Sequence, residues 1–271
     1  MAAGGGELPV PLNSYGSIRG QLWAPTGFDI RHRGTVSVTY AVPGRNGFGQ
    51  MLKGWTVNSV ILLQSGLPMW QSDVSNDFSG TGEAIGSQTG STGESWNFYG
   101  NPSDFTPVHG FTDTNGGGGG LPYFTSGSSF AQCQAADASH FSGNQLTLAT
   151  ASLNKFGCYV VGSSVLVPPP YGGMGTTQRN IWRAAPFRNM DLSVAKAFKF
   201  GDRYGAEFRV ELFNIFNTPI FANPSASVGG LQDPSSGGFL FSGATPDVAN
   251  SDPLIGSGGS RSMQLGFKFS F

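Results

Sequence analysis

The last stretch of the chain, Arg261-Ser-Met-Gln-Leu-Gly-Phe-Lys-Phe-Ser-Phe271, decides the fold. From Ser262 onward its apolar residues share one parity, and its small or polar residues share the other. Side chains alternate faces along a β-strand, so the stretch predicts a ribbon with one apolar and one polar face. A tilted membrane strand needs about 9–11 residues, and Met263 to Phe271 meets that length. By itself the strand fits either a lipid-facing position or a soluble core.

Composition narrows the class of protein. Glycine supplies 42 of the 271 residues and charged residues only 11%, against about 25% charged residues in typical globular proteins. This composition argues against a cytosolic helical protein, and 13% aromatic residues argue against plain disorder. The formal net charge of −1 gives no electrostatic case for nucleic acid as a partner.

Export raises a difficulty for a membrane assignment. No apolar run reaches the roughly 18 residues of a transmembrane helix. The N-terminal segment, which begins Met1-Ala-Ala-Gly-Gly-Gly, lacks the basic and apolar parts of a signal peptide. We therefore expect the chain to be the C-terminal piece of a longer protein whose export signal lies upstream.

Alternation of apolar and polar residues predicts five strands. They lie near 28–42, 55–64, 190–200, 204–216 and 261–271. His32 and Gly34 are the weak point of the first, and the second alternates only partly, with Val60 and Leu62 on its polar side. Lys196 interrupts an apolar face, and we expect its stem to carry the charge toward an interface.

The connections between these strands alternate in length. Residues 43–54 and 201–203 are short, whereas 65–188 and 217–260 are long. Barrels of the outer membrane have short periplasmic turns and long extracellular loops. The predicted fold is therefore all-β: an antiparallel meander forming part of a transmembrane β-barrel, with long irregular extracellular loops. Within the first long loop, Gln145–Ala149 and Cys158–Val167 are candidate short strands.

Several segments also resemble a known family. They are Phe28-Asp-Ile-Arg-His-Arg33, Gly54-Trp55 through Leu63-Gln-Ser-Gly-Leu-Pro68, Asn189-Met-Asp-Leu-Ser193 and Glu207-Phe-Arg-Val-Glu-Leu-Phe-Asn-Ile-Phe-Asn-Thr-Pro219. In this order they resemble the C-terminal barrel of TonB-dependent outer-membrane receptors. The most similar group is the Oar-like branch, whose members carry an N-terminal carboxypeptidase-regulatory-like domain.

The resemblance implies a 22-stranded barrel, an internal plug domain and uptake energised through TonB. Plug, energy-coupling box, signal peptide and most of the strands are not recognisable in this sequence, so a fragment of a receptor is the expected product. We expect its ligand, which the sequence does not name, to meet the loops 65–188 and 217–260. The other expected partners are outer-membrane lipid, the rest of the barrel, and TonB through the N-terminal part.

The last strand also looks like the signal that the outer-membrane assembly machinery reads. The residues concerned are Leu265, Phe267, Phe269 and Phe271. The alternative is that these side chains are only lipid-facing, and both roles can hold together.

The sequence shows no motif typical of a metal site, a phosphate loop or a serine hydrolase. His32, His109 and His140 show no metal-ligand spacing, so no metal or cofactor is expected. Gly116–Gly120 lacks the Gly-Lys-Ser/Thr ending of a phosphate loop, and no Gly-x-Ser-x-Gly elbow is present. Four aspartates lie where calcium-binding loops are conceivable, without a twelve-residue pattern: Asp73, Asp77, Asp104 and Asp113.

Two sets of residues leave alternatives open. Glu207 and Glu211 flank Arg209 on one strand face, either as a lumen-facing charge ladder, which we favour, or as acid–base catalysts. Cys133 and Cys158 can close a loop disulfide in an oxidising compartment, which we favour if the chain is exported, or remain unrelated thiols.

Three functions follow in order of preference. The first is a non-enzymatic receptor barrel in the outer membrane, and the second is a secreted all-β glycan-binding or adhesion module. The third is a β-sandwich hydrolase using Glu207 or Glu211. The two soluble alternatives require Phe267, Phe269 and Phe271 to be buried under a second sheet.

Overall fold

The computed structural model describes residues 24–45, 49–71, 73, 75–80, 94–109, 120–218, 220–223, 239–242 and 259–271. The chain forms two compact units. The sheet unit comprises residues 30–66, 185–222 and 244–271. The loop unit comprises residues 1–29, 67–184 and 223–243.

Strands dominate the secondary structure of the described residues. They are β1 (Arg33–Ala41), β2 (Trp55–Gln64), β3 (Pro68–Met69), β4 (Asn97–Tyr99), β5 (Val108–His109), β6 (Tyr123–Phe124), β7 (Cys158–Val161), β8 (Ser164–Val167), β9 (Trp182–Arg183), β10 (Phe187–Phe200), β11 (Tyr204–Phe213), β12 (Phe241–Ser242) and β13 (Ser262–Ser270). The helices are α1 (Gly127–His140) and α2 (Gly143–Phe156), with a 3-10 turn at Pro102–Asp104. None of these helices is both long and apolar enough to cross a bilayer.

The sheet unit is built on five long antiparallel strands in the order β1-β2-β10-β11-β13. In the described part of the chain, β1 and β13 each have one neighbour, so this sheet is open. The expectation of an antiparallel all-β architecture is confirmed. An open sheet leaves a row of unpaired backbone groups along each outer edge.

The strand ends differ from the predicted ones where backbone turns intervene. The strand predicted at 55–64 coincides with β2, and those predicted at 190–200 and 261–271 differ from β10 and β13 by at most three residues at an end. The first predicted strand, 28–42, begins only at Arg33. Its earlier part includes Asp29, whose N–H donates to the Thr26 carbonyl in a turn and whose carboxylate pairs with Arg183.

The fourth predicted strand, 204–216, ends early because two asparagines turn the backbone. Asn214 and Asn217 both adopt a φ of 52°, a left-handed conformation that asparagine tolerates better than most residues. The Asn214 N–H donates to Asp191 on β10, and its side chain donates to the Gly259 carbonyl. The Asn217 side chain accepts from the Arg261 N–H, just before β13. This turn therefore ties three neighbouring strands together where the chain leaves β11.

The long segment predicted as an irregular loop is a folded unit. It contains a four-stranded sheet in the order β4-β8-β7-β6 and the two helices. The hairpin β7–β8 occupies the candidate strand Cys158–Val167. The other candidate, Gln145–Ala149, is wrong because it lies inside α2.

Aromatic side chains build the core of the loop unit. Its larger cluster includes Phe78, Trp96, Phe105, Tyr159, Trp182 and Phe239, all at most 2% exposed. Edge-to-face pairs such as Phe98 with Trp182, whose ring centroids are 5.4 Å apart, order this interior. These aromatic rings therefore pack against one another in the interior and are not available at the surface.

A disulfide joins the helices to the small sheet. Cys133 on α1 and Cys158 on β7 are bonded and fully buried, and they pack with Phe130, Leu153 and Val165. Closing the 25-residue separation stabilises the folded unit by about 3 kcal/mol in the chain-entropy description.

Asp137 lies one helical turn after Cys133, on the buried face of α1. It is 1% exposed, and neither of its carboxylate oxygens has a hydrogen-bond partner among the described residues. Burial raises the pKa of Asp137 from 3.8 to about 7. The ionised carboxylate also contributes to the raised pKa of Tyr99, after burial of that phenol. Asp137 is therefore a source of pH-dependent instability within the loop unit.

We expect the loop unit to lose stability as the pH rises from about 4 to 7. The folded state keeps the Asp137 proton through this window while the unfolded chain releases it, which reduces the free energy of unfolding by up to about 4 kcal/mol. Above pH 7 the full loss in the free energy of unfolding remains. Asp137→Asn should remove this pH dependence, because asparagine does not titrate. Amide exchange protection of α1, corrected for intrinsic rates, measures the effect in detergent. Asp202→Asn, an exposed turn residue, is the control. If the amide protection of α1 fell between about pH 4 and 7 as much in Asp137→Asn as in the wild-type protein, the assignment to Asp137 would be contradicted.

Candidate membrane-spanning surface

Strand register joins the apolar residues of five strands into one face. Directly paired residues of antiparallel strands point to the same side of a sheet. One row runs across every strand of the sheet unit: Tyr40, Val57, Val194, Val210 and Leu265. The adjacent row consists of Val38, Ser59, Leu192, Leu212 and Met263. The sequence alternation of the individual strands thus becomes a continuous apolar surface.

This surface is uncovered. Phe267 is 70% exposed, Phe269 52% and Phe271 94%, so no second sheet covers them in the described part of the chain. The glycan-binding module and the β-sandwich hydrolase both require these three phenylalanines to be buried, and this requirement is therefore not met. Contiguous apolar surface of this extent is rare on water-soluble monomers. The face requires an apolar environment.

The apolar face has the height of a bilayer core. Met190 to Phe200 on β10 span about 33 Å of strand at about 3.3 Å per residue. A tilt of about 40° reduces this to roughly 25 Å, the height of the apolar band on outer-membrane barrels. At the end of the short connections the rings of Tyr204, Phe269 and Phe271 stack successively, with centroids 6.3 Å apart. Aromatic girdles of this kind mark a membrane–water interface.

Lys196 interrupts the apolar face next to the β1–β2 connection. Its ammonium donates to the carbonyls of Gln50 and Lys53 and lies 5.5 Å from the Trp55 ring centroid and 4.7 Å from that of Phe198. The carbonyls and the ring faces replace water around the charge. The stem therefore crosses the apolar face and delivers the ammonium to the β1–β2 turn.

The opposite face of the sheet is polar. Arg209 Nη2 lies 2.7 Å from Glu207 Oε1, and Nη1 lies 3.4 Å from Glu211 Oε1. Lys268 on β13 is the register partner of Glu207. The three predicted ladder residues are thus in contact, about one-third to one-half exposed, on the side away from the phenylalanines. Such partly exposed ion pairs add little stability, and the row is suited to facing water.

The remaining candidate residues lie elsewhere. His32 lies at the end of β1, and the His140 ring stacks on Tyr99 at 3.8 Å in the loop unit. The described residues hold no group of three His, Cys, Asp or Glu side chains able to bind a metal. Asp113 and Gly116–Gly119 lie outside the described residues, as do the side chain of His109 and most of 217–260.

Two buried carboxylates serve the architecture of the loop unit. Asp73 accepts from Trp96 Nε1 at 3.0 Å and from the Asn76 side chain. Glu94 accepts from the Phe78 N–H, and burial is the main cause of its raised pKa. Internal donors therefore occupy the oxygen atoms that a calcium ion would need.

Sequence reasoning missed one feature of the sheet unit, which is that Arg31, Arg33 and Arg188 all lie at the edge of one surface pocket. The signal was present, because Arg188 precedes Met190 by two residues and shares its parity.

These observations define a β-sheet protein that contacts lipid on one face and water on the other. A comparison with protein families agrees, because the family model described as an outer membrane beta barrel domain matches residues 4–264. The chain therefore belongs to the outer membrane β-barrel domain family, and its apolar face associates with outer-membrane lipid. No curated protein and no solved structure matches the chain.

We expect deletion of Phe271 to reduce assembly into the outer membrane several-fold, if the last strand carries the recognition signal. Quantitative blotting of outer-membrane fractions gives the measurement. Phe200→Ser is the matched control, because Phe200 is also a 53% exposed aromatic residue of the apolar face but lies on β10. Equal losses in the two variants would mean that the phenylalanines act only through lipid contact.

The strand order also predicts which connections reach the cell surface. A cysteine at Ser163, exposed in the β7–β8 turn, should react with an impermeant maleimide on intact cells. A cysteine at Asp202, in the β10–β11 turn, should react only after the outer membrane is permeabilised. The bonded native cysteines provide no competing thiol. The reverse labelling pattern would invert the orientation.

Proposed function

We propose that the chain forms the C-terminal part of a TonB-dependent receptor barrel, of the Oar-like branch, that takes up a substrate not identified by its sequence. The observation that carries the proposal is the combination of a lipid-facing open sheet with a folded unit inserted between β2 and β10. Closed outer-membrane barrels have 8 or more strands, and transporters with a plugged lumen have about 22. A closed barrel of this kind would pair further strands with β1 and β13.

The polar face suits a lumen that holds a plug. Glu207, Arg209 and Glu211 form a charged row on the side away from lipid. Such a row can bind water or the polar surface of a plug domain. We assign these residues a positioning role, and the protein a non-enzymatic one.

The loop unit is the proposed ligand-binding part. The chain enters this unit after β2 and leaves it before β10, so it forms a long connection, and long connections lie on the outer surface in barrels of this kind. A packed core and a disulfide keep this unit rigid in an oxidising environment. The remaining partners in this proposal are the assembly machinery, which would read β13, and TonB, which would engage the N-terminal part of the receptor.

A genetic comparison tests the energy source. Strains lacking this gene, lacking TonB, and lacking both are grown on a panel of single carbon, iron and cofactor sources. We expect at least one source on which both single deletions grow equally slowly and the double deletion grows no more slowly. Reintroducing the wild-type gene should restore growth only when TonB is present. Additive growth defects would contradict TonB-dependent uptake.

A further inference from the structure

The disulfide of the loop unit lies between two layers of structure. Cys133 is in the middle of α1, and Cys158 is the first residue of β7. β7 is an inner strand of the small sheet, with β8 on one side and β6 on the other, and α1 packs against these strands. Both cysteines are 0% exposed. The bond is therefore enclosed between the helix and the sheet.

Apolar side chains from both helices and from the sheet close the space around this bond. They are Phe130 on α1, Leu153 on α2, and Val160, Val165 and Val167 on the hairpin β7–β8. All five are at most 7% exposed. Thiol–disulfide exchange requires a thiolate to reach the sulfur that it attacks. An enzyme therefore cannot bring its own sulfur to either cysteine while this packing is in place.

The unfolded chain presents no such barrier. A loop of about 10 residues closes in about 10–100 ns, whereas disulfide formation takes on the order of seconds or longer. The ends of the 25-residue separation between the two cysteines thus meet many times before a bond forms, and folding is not needed to bring the thiols together. The whole of α2 lies between the cysteines, so the bond can form before that helix does.

The route to the outer membrane limits where an oxidant can act. A chain of this family reaches the membrane through the periplasm, which dithiol oxidases keep oxidising. Long connections of outer-membrane barrels face the cell exterior, so insertion separates the loop unit from these enzymes. Packing of the unit and insertion of the sheet therefore each end the access of an oxidase to the two cysteines.

We propose that a periplasmic dithiol oxidase forms the Cys133–Cys158 bond on the unfolded chain, before the loop unit packs and the sheet enters the membrane. One cysteine thiolate attacks the enzyme's disulfide and displaces one enzyme sulfur, which gives a mixed disulfide. The second cysteine thiolate then attacks the chain's sulfur in that bond and displaces the other enzyme sulfur. The two thiols lose two electrons and two protons, and the enzyme's disulfide takes them up to become a dithiol. The proposal requires the outer-membrane location but not TonB-dependent uptake, so either can fail without the other.

Reduction of the native bond tests whether packing closes access to it. The full wild-type chain is treated with dithiothreitol in detergent and in concentrated guanidinium, and the surviving bond is measured by alkylation and mass spectrometry. We expect reduction to be about a hundredfold or more slower in detergent, because attack must wait for the packing to open. Equal rates under the two conditions would overturn the proposal.

An exposed bond in the same unit provides the control. Ser163 is exposed in the β7–β8 turn, and the Ser163→Cys variant can carry glutathione there through a mixed disulfide. Dithiothreitol should remove this glutathione at similar rates in detergent and in guanidinium. The difference between the two bonds then measures the effect of burial on reduction, separately from the effect of the solvent on the reagent.

The order of events is tested in cells. Newly made chains are pulse-labelled, quenched with acid, alkylated and separated into periplasmic and outer-membrane fractions. We expect reduced chains in the periplasmic fraction alone, and oxidation about tenfold slower in a strain without its periplasmic dithiol oxidase. Reduced chains that reach the outer membrane and become oxidised there would overturn the proposal, as would an unchanged oxidation rate without the enzyme.

Single-cysteine variants trap the intermediate. Cys133→Ser and Cys158→Ser each keep one attacking sulfur but lack the second, so a mixed disulfide with the oxidase should accumulate. A non-reducing gel detects it as an increase in mass by one enzyme molecule, and the double variant should show none. The proposed reaction occurs on the unfolded chain, so the result does not require the variants to fold. Absence of the mixed disulfide from both single variants would contradict the proposal.

Discussion

The hydrogen-bond ladder of the sheet unit is the constraint on which the rest of the structure depends. A bilayer core offers no water to backbone N–H and C=O groups, so every one of them needs a partner within protein. β2, β10 and β11 meet this requirement with neighbours on both sides. Once the ladder fixes the register, a shift of one residue would exchange the two faces of a strand. Register therefore places Phe267 in lipid and Lys268 in water.

The two ends of the sheet unit are stabilised by different polar contacts. At the short turns, the charge of Lys196 is satisfied by carbonyls and aromatic rings, which allows a cation within an apolar row. At the long connections, Asn214 and Asn217 turn the backbone and bind β10 and β13. The contacts of Lys196 thus satisfy a charge beside the β1–β2 turn, whereas the two asparagines end β11 and hold it to its neighbours.

Sequence predicted the sheet unit well because a period of two is a strong local signal. Trp55–Gln64 and Ser262–Ser270 could be located within one residue from parity alone. The folded structure of the loop unit was not predicted because helical periodicity becomes recognisable only over a longer stretch of sequence than strand alternation. Gln145–Ala149 alternates over five residues, yet Ala149, Ser152, Leu153 and Phe156 repeat at helical spacing and pack inward or lie half-buried. The proximity of Arg33 to Arg188 was missed because these residues are about 150 positions apart, and only the pairing of β1 and β10 with β2 brings their segments together.

The contact between the two ends of the loop unit changes how the sheet can assemble. The Ala184 N–H donates to the Leu67 carbonyl at 2.8 Å, and Met69 pairs with Trp182. Folding of the loop unit therefore holds the chain leaving β2 beside the chain entering β10. A loop of about 120 residues then closes like a turn of a few residues, which removes roughly 2–3 kcal/mol of closure entropy. The folded insertion thus converts the most distant strand pairing of the sheet into an effectively local hairpin.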